Sequence, residues 1–234
     1  MGDYAEAFHL TDDRLDLKQM DVVSTDEQYE NVSKLLFPIR EKIVCLLAGN
    51  HDYRLYMRSG HDYCEWLGKE LDVPYCGYDA YVRFHFSRVN AGKDSLHRTA
   101  FNLYAHHGWS SARTDGAVVK SIQDMHNIFP CCHLYLMGHT HRFGEALPKT
   151  WLYVNNGGKV QEFMERFVFT GSYYKGYEIG EGSSYVESRG LPPTSLGSPI
   201  VEVKVNRSDG HHYSSQKPPF NLRVSNVGFE NGDE

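Results

Sequence analysis

The sequence predicts an α/β domain, on three observations. Continuous apolar runs, "KIVCLLAG" and "CCHLYLM" among them, stop abruptly at polar loops, as buried strands do. Amphipathic stretches of helical period lie between those runs. The chain has 234 residues, 41% of them hydrophobic and 23% charged, which is an ordinary globular composition long enough for one sizeable core.

The elements follow in order. "STDEQYENVSKLLFPIRE" opens with Ser24 and Glu27 in capping-box spacing and places Leu35, Leu36 and Ile39 on an apolar face, with Pro38 bending or ending the helix. "KIVCLLAGNHD" reads as a buried strand entering a loop, and "CEWLGKELDV" as a short amphipathic helix. "YDAYVRFHFSRV" and "AFNLYAHHG", separated by the polar "NAGKDS", read as a strand pair. "DGAVVKSIQDMHNIF" is a second amphipathic helix stopped by Pro130, and "CCHLYLMGHTHR" is another buried strand discharging into a polar loop. Beyond Arg142, strands are expected in "RFVFTGSYY" and "SPIVEVKVNR", on either side of a glycine- and serine-rich stretch. The expected organisation is a single domain over 1–214 and a polar tail over 215–234 that holds one short strand near "FNLRVSNV".

Bulk properties exclude some classes. No apolar run approaches membrane-spanning length, so no membrane span is expected. The 5 cysteines are scattered with no CxxC pair, which reads as reduced thiols in a cytoplasm; Cys131 and Cys132 read as small apolar residues ahead of a strand. The net charge of −6 and the absence of a Lys/Arg stripe argue against a tight nucleic-acid surface. A phosphate-bearing substrate stays open, because bound metal ions can supply positive charge locally. The composition points to no protein partner.

The chemistry gathers where the apolar runs end. The first ends in Asn50, His51 and Asp52, the second in His106 and His107, the third in His139 and His141. Open α/β sheets place ligand sites at the carboxyl ends of strands, so separate runs can pool these side chains. Oxygen and imidazole donors without thiolate suit Mn, Fe, Zn, Ni or Co. The two imidazoles of "GHTH" lie on one side of an extended segment and can serve one metal or two.

"GDYAE" at 2–6, "GNHD" at 49–52, "AHHG" at 105–108 and "GHTH" at 138–141 occur in that order. In order and spacing the chain resembles the calcineurin-like metallophosphoesterase superfamily, over Gly2 to His141, in the style of its phage and bacterial members. The resemblance implies two facing mixed β-sheets flanked by helices, an α/β/β/α sandwich. It implies two divalent ions, manganese foremost, with Asp3 bridging them and His141 on the first. Asn50, His139 and one histidine of the 106–107 pair would hold the second. The family's His-Gly form favours His107 and its His-His-Pro form His106; His107 is taken here. His51 would be the general acid or stabilise charge at the leaving oxygen, oriented by Glu6, with Asp52 completing the motif. Arg142 and Arg54 would meet substrate phosphate. Glu6 stands where the family usually has Asp, a variation found in lipid A precursor hydrolases among others.

The family's first motif, Asp-x-His, has no counterpart ahead of Gly2. The one literal match, Asp209-Gly210-His211, reads as a late hairpin turn. The first strand is therefore expected to be missing and the chain to be a shortened copy, or else a genuine variant with one ion at Asn50, His107 and His139. The expected activity is metal-dependent hydrolysis of a phosphomonoester or phosphodiester, on a phosphorylated small molecule or a nucleic acid, in the cytoplasm or in the host cytoplasm of a phage. The rivals are a DNA exo- or endonuclease of the same superfamily and a catalytically impaired scaffold. Trp109, Tyr173, Tyr174 and Tyr177 can stack on a base or line a lipid groove, with plain aromatic packing the blander reading. His61, His126 and His133 are read as structural or exposed.

Overall fold

The computed structural model describes residues 1–6, 22–87, 99–110, 112, 114–177, 185–188, 190, 192–206 and 220–228. Helix α1 (Thr25–Leu36) is capped by Ser24, whose Oγ accepts from the Glu27 amide, and it passes at Pro38 into a 3₁₀ turn over Phe37–Lys42. Helix α2 (Asn50–Ser59) begins inside the "GNHD" segment, where the sequence predicts a loop, and ends at Gly60 with φ 72°. Helix α3 (Tyr63–Leu71) is capped by Asp62, which accepts from the Glu65 amide at 3.0 Å.

The main sheet has five strands in the order β1-β2-β3-β5-β4, from β1 (Asp79–Phe86), β2 (Thr99–His106), β3 (Leu134–Met137), β4 (Phe143–Val154) and β5 (Val160–Thr170). β2, β3 and β5 run parallel, while β1 and β4 are antiparallel edges, so the sheet is mixed. Helices α4 (Asp115–Gln123) and α5 (Met125–Ile128) connect β2 to β3 and cover one face, where Val118, Ile122 and Met125 meet Tyr104, Tyr135 and Phe167. A short helix α6 (Tyr185–Ser188) precedes an antiparallel pair, β6 (Gly197–Val205) and β7 (Phe220–Gly228). That pair packs Val201, Val203, Leu222 and Val224 on the opposite face, against Phe101, Leu134 and Val168. The fold is thus α/β with a mixed sheet and a second, smaller sheet, flanked by helices. Among the described residues the second sheet is a two-stranded antiparallel ribbon, where a second mixed sheet is expected.

Two local expectations change. The run over residues 43–49 is buried only from Leu46 to Gly49, with Val44 exposed, and makes only one sheet bridge among the described residues, Leu46 with Tyr75. Its hydrogen bonds go to 74–77: Leu46 donates to Pro74, Cys76 to Leu46 and Ala48 to Gly77. Pro74 has no N–H to extend that ladder. The segment still lies between layers, with Leu46 against Leu67 and Leu71 of α3 and Leu47 against Ala80 and Ala105 of the main sheet. Strand β4 was not expected at all. Gly144, Pro148 and Lys149 break its alternation, and its register with β5 shifts between Ala146 and Lys149, as at a bulge. The "NAGKDS" connection and Asp209–His211 lie outside the described residues. No described helix is long and apolar enough to cross a membrane.

Candidate metal centre

The parallel register brings the histidines together. His106, the last residue of β2, is level with Met137, the last of β3, so His107 and the Gly138-His139 pair leave the sheet side by side at its carboxyl edge. The first turn of α2 carries Asn50 and His51 to the same edge, and residues 1–6 lie across it. Asp3 (φ 53°), His139 (φ 62°) and His141 (φ 56°) all adopt left-handed backbone. That conformation costs a non-glycine residue about 1–2 kcal/mol, and such strain collects at functional sites.

Ligand atoms of Asp3, His107 and His139 all lie within 4.8 Å of one another. His107 Nε2 is 3.3 Å from Asp3 Oδ2 and 3.1 Å from Asn50 Oδ1, which is 2.8 Å from His139 Nδ1. Two donors each about 2.1 Å from one ion stand about 3.0 Å apart at a right angle and about 3.4 Å apart at the tetrahedral angle. The 3.1 and 3.3 Å separations fall in that range, and the 2.8 Å separation lies just below it. The tautomer of His107 agrees, since its Nδ1 lies 2.7 Å from the carbonyl oxygen of Met1 and a carbonyl only accepts. In the neutral ring the proton is therefore on Nδ1, and the Nε2 lone pair faces two further acceptors. A main-chain carbonyl behind a ligating histidine is the usual way such a ring is oriented. The donor set, one carboxylate, one amide oxygen and two imidazoles, fits a divalent ion.

Charge at the centre is coupled. Burial pushes the Asp3 carboxyl up, but the hydrogen bond and charge of His107, with His51, outweigh it and hold Asp3 at about 2. Burial pulls His107 down, while Asp3 and the Met1 carbonyl more than reverse that and leave it raised. His139 is lowered by burial and then by the charge of His107. His141 is also lowered, chiefly by burial.

A buried carboxylate holds the frame. Asp52 Oδ2 accepts from the amides of Asp3 and Gly49 at 2.7 Å each, and its Oδ1 accepts from the phenol of Tyr29. Asp3 Oδ1 in turn accepts from the His51 amide at 2.9 Å, at the start of α2, where the helix dipole favours an anion. The approach is close: a Cβ on Gly49 would stand 2.0 Å from Asp3 Oδ1, and one on Gly2 would stand 2.3 Å from the Gly49 nitrogen. His51 Nδ1 lies 3.1 Å from the main-chain carbonyl of Glu6.

Other candidates take different places. His106 turns away from the triad; its Nδ1 accepts from the Gly108 amide at 2.8 Å, and its ring meets Trp109 and Tyr78. His141 stands outside the triad, with its ring 6.0 Å from that of Tyr174. Arg142 ion-pairs with the exposed Asp115 at the start of α4. Arg54 lies on α2, one turn after Asn50. His126 and His133 lie away from the centre, His126 on the buried Glu165 and His133 on the Asn102 amide. The sequence reading missed Tyr29 and Tyr78. Tyr29 is fully buried, and a tyrosine on the inner face of a helix was the one signal that a buried acceptor awaited its hydroxyl. No protein-family model and no curated protein matches the chain.

Proposed function

We propose that the chain is a divalent-metal-dependent phosphoester hydrolase in which water attacks phosphorus without a covalent intermediate. The supporting observation is the convergence of Asp3, Asn50, His107 and His139, whose acceptor atoms stand at ligand-to-ligand distances. These four residues would hold one ion, and Asp3 with His141 offers donors towards a second. Manganese suits the oxygen and imidazole donors, as do iron, zinc, nickel and cobalt. A bound ion supplies charge for the phosphoryl oxygens and lowers the pKa of water from about 15.7 towards about 7.

The chain's own groups do the rest. His51, whose Nδ1 lies 3.1 Å from the Glu6 carbonyl, would present Nε2 to the leaving oxygen as general acid. Asp52 and Tyr29 keep Asp3 on the helix start and act as positioning residues. Elemental analysis for manganese, paired with hydrolysis of bis(p-nitrophenyl) phosphate, tests the reading. His51→Ala should keep its manganese and lose turnover by about 10²–10⁴-fold. His139→Ala should lose both. A wild-type chain that binds manganese and hydrolyses no phosphoester would refute the proposal.

A further inference from the structure

A row of rings starts beside the metal centre. The Tyr78 ring lies 6.4 Å from those of His107 and His106. On one side Tyr53 stands edge-on to Tyr78 at 5.6 Å, and on the other Trp109 stands edge-on to His106 at 4.9 Å. Tyr53 sits on α2 one turn after Asn50, and Trp109 follows His107 by two residues. Both are open to solvent, Tyr53 by 47% and Trp109 by 37%. Among the described residues, Tyr53, Tyr78 and Trp109 belong to none of the buried apolar clusters. The Gly108 amide on His106 Nδ1 fixes the ring between Tyr78 and Trp109.

From this, and resting on the phosphoesterase reading, we infer that the substrate carries a flat aromatic group, a nucleobase or another aryl ring, which seats on the row Tyr53–Tyr78–His106–Trp109 while its phosphate meets the metal centre. The lining is phenol, imidazole and indole rather than leucine, isoleucine and valine. Polar-edged rings of this kind suit a flat, polar-edged group better than an acyl chain. Stacking tolerates any base, because every base has a π-face, so the row selects for a ring and not for one base.

The test titrates the manganese-loaded protein calorimetrically with adenosine 5′-monophosphate, ribose 5-phosphate and phosphocholine. The nucleotide should bind about tenfold or more tighter than the sugar phosphate. Trp109→Leu and Tyr53→Leu should each shrink that ratio, while Trp109→Phe keeps most of it. Manganese titration of every variant checks that the centre is intact. Should Trp109→Leu lose manganese, Tyr53→Leu decides. Equal binding of nucleotide and sugar phosphate by a manganese-loaded protein overturns the inference and leaves the phosphoesterase reading standing. Phosphocholine binding tighter than the nucleotide overturns it in favour of a cation site. Failure of every phosphate to bind, or of manganese to bind, brings down the phosphoesterase reading and the inference with it.

Discussion

His106 and His107 are neighbours in the chain and part ways at the sheet edge. Successive residues leaving a strand point to opposite sides, so one ring enters the centre and the other joins the aromatic row. His107→Ala should weaken manganese binding beyond the about 10–100-fold typical of outer-shell changes, and His106→Ala should stay below about tenfold. Equal losses in a manganese titration would reverse that assignment. Gly49 makes a second prediction at this scale. An alanine Cβ there displaces Asp3, so Gly49→Ala should cost most of the manganese affinity. Gly60 is the contrast: nothing lies within 4 Å of its Cβ position, but its φ is +72°. Gly60→Ala should lose about 1–2 kcal/mol of stability and keep its manganese, read by urea unfolding and metal titration.

At the scale of elements, α2 is tied to its neighbours by Asp52. Its carboxylate gathers the Gly49 amide, the Asp3 amide and the Tyr29 hydroxyl, which joins α1, α2 and the 1–6 segment at one point. Removing the hydroxyl leaves a buried carboxylate one donor short, which costs about 1–3 kcal/mol. Tyr29→Phe should lower the urea midpoint accordingly and weaken manganese binding, since Asp3 hangs from the same carboxylate. An unchanged midpoint would mean that Asp52 finds another donor. Helices α1 and α3 were legible from caps and periodicity. Helix α2, which starts inside "GNHD", was not, because a short-range pattern does not announce that a buried Asp will cap a helix whose N-cap is glycine.

For the whole molecule, acid should be destabilising in the metal-free state. Burial lowers His106, His133, His139 and His141 from the ordinary 6.5. Below 6.5 the unfolded chain takes up protons that these rings refuse when folded, so stability is lost as pH falls through that region towards their folded values. His107 works the other way: its raised value contributes stability below 6.5 that is lost as pH rises through the folded pKa. Four groups act in this sense and one against it, and the urea midpoint should be lower at pH 5.5 than at pH 7.5. His133→Gln, on β3's approach and away from the centre, should shallow that slope, and an unchanged slope would count against it. Manganese couples to the fold as well. At 100 times its Kd, an ion bound only by the folded state adds about 2.7 kcal/mol. Thermal unfolding should move up by about 2–4 °C for each of those kcal/mol and return with a chelator.

The amino-acid order alone determined the class of the fold and named the candidate donors. Apolar runs of strand length must be buried, and wherever such a run ends in His, Asn or Asp, that side chain is delivered to an edge. Asn50, His107 and His139, at the ends of such runs, do meet there, joined by Asp3, which only the family resemblance implied. What only the tertiary structure decided is which donors share a point and what holds them. The choice of His107 over His106 rests on a parallel register between β2 and β3 and on the Met1 carbonyl, two contacts that local pattern does not encode. Strand β4 likewise exists because β5 offers it a partner, although Gly144, Pro148 and Lys149 spoil its own alternation. Hydrogen bonds between distant segments, not local propensity, settle such cases, because strand formation depends on the neighbour being paired.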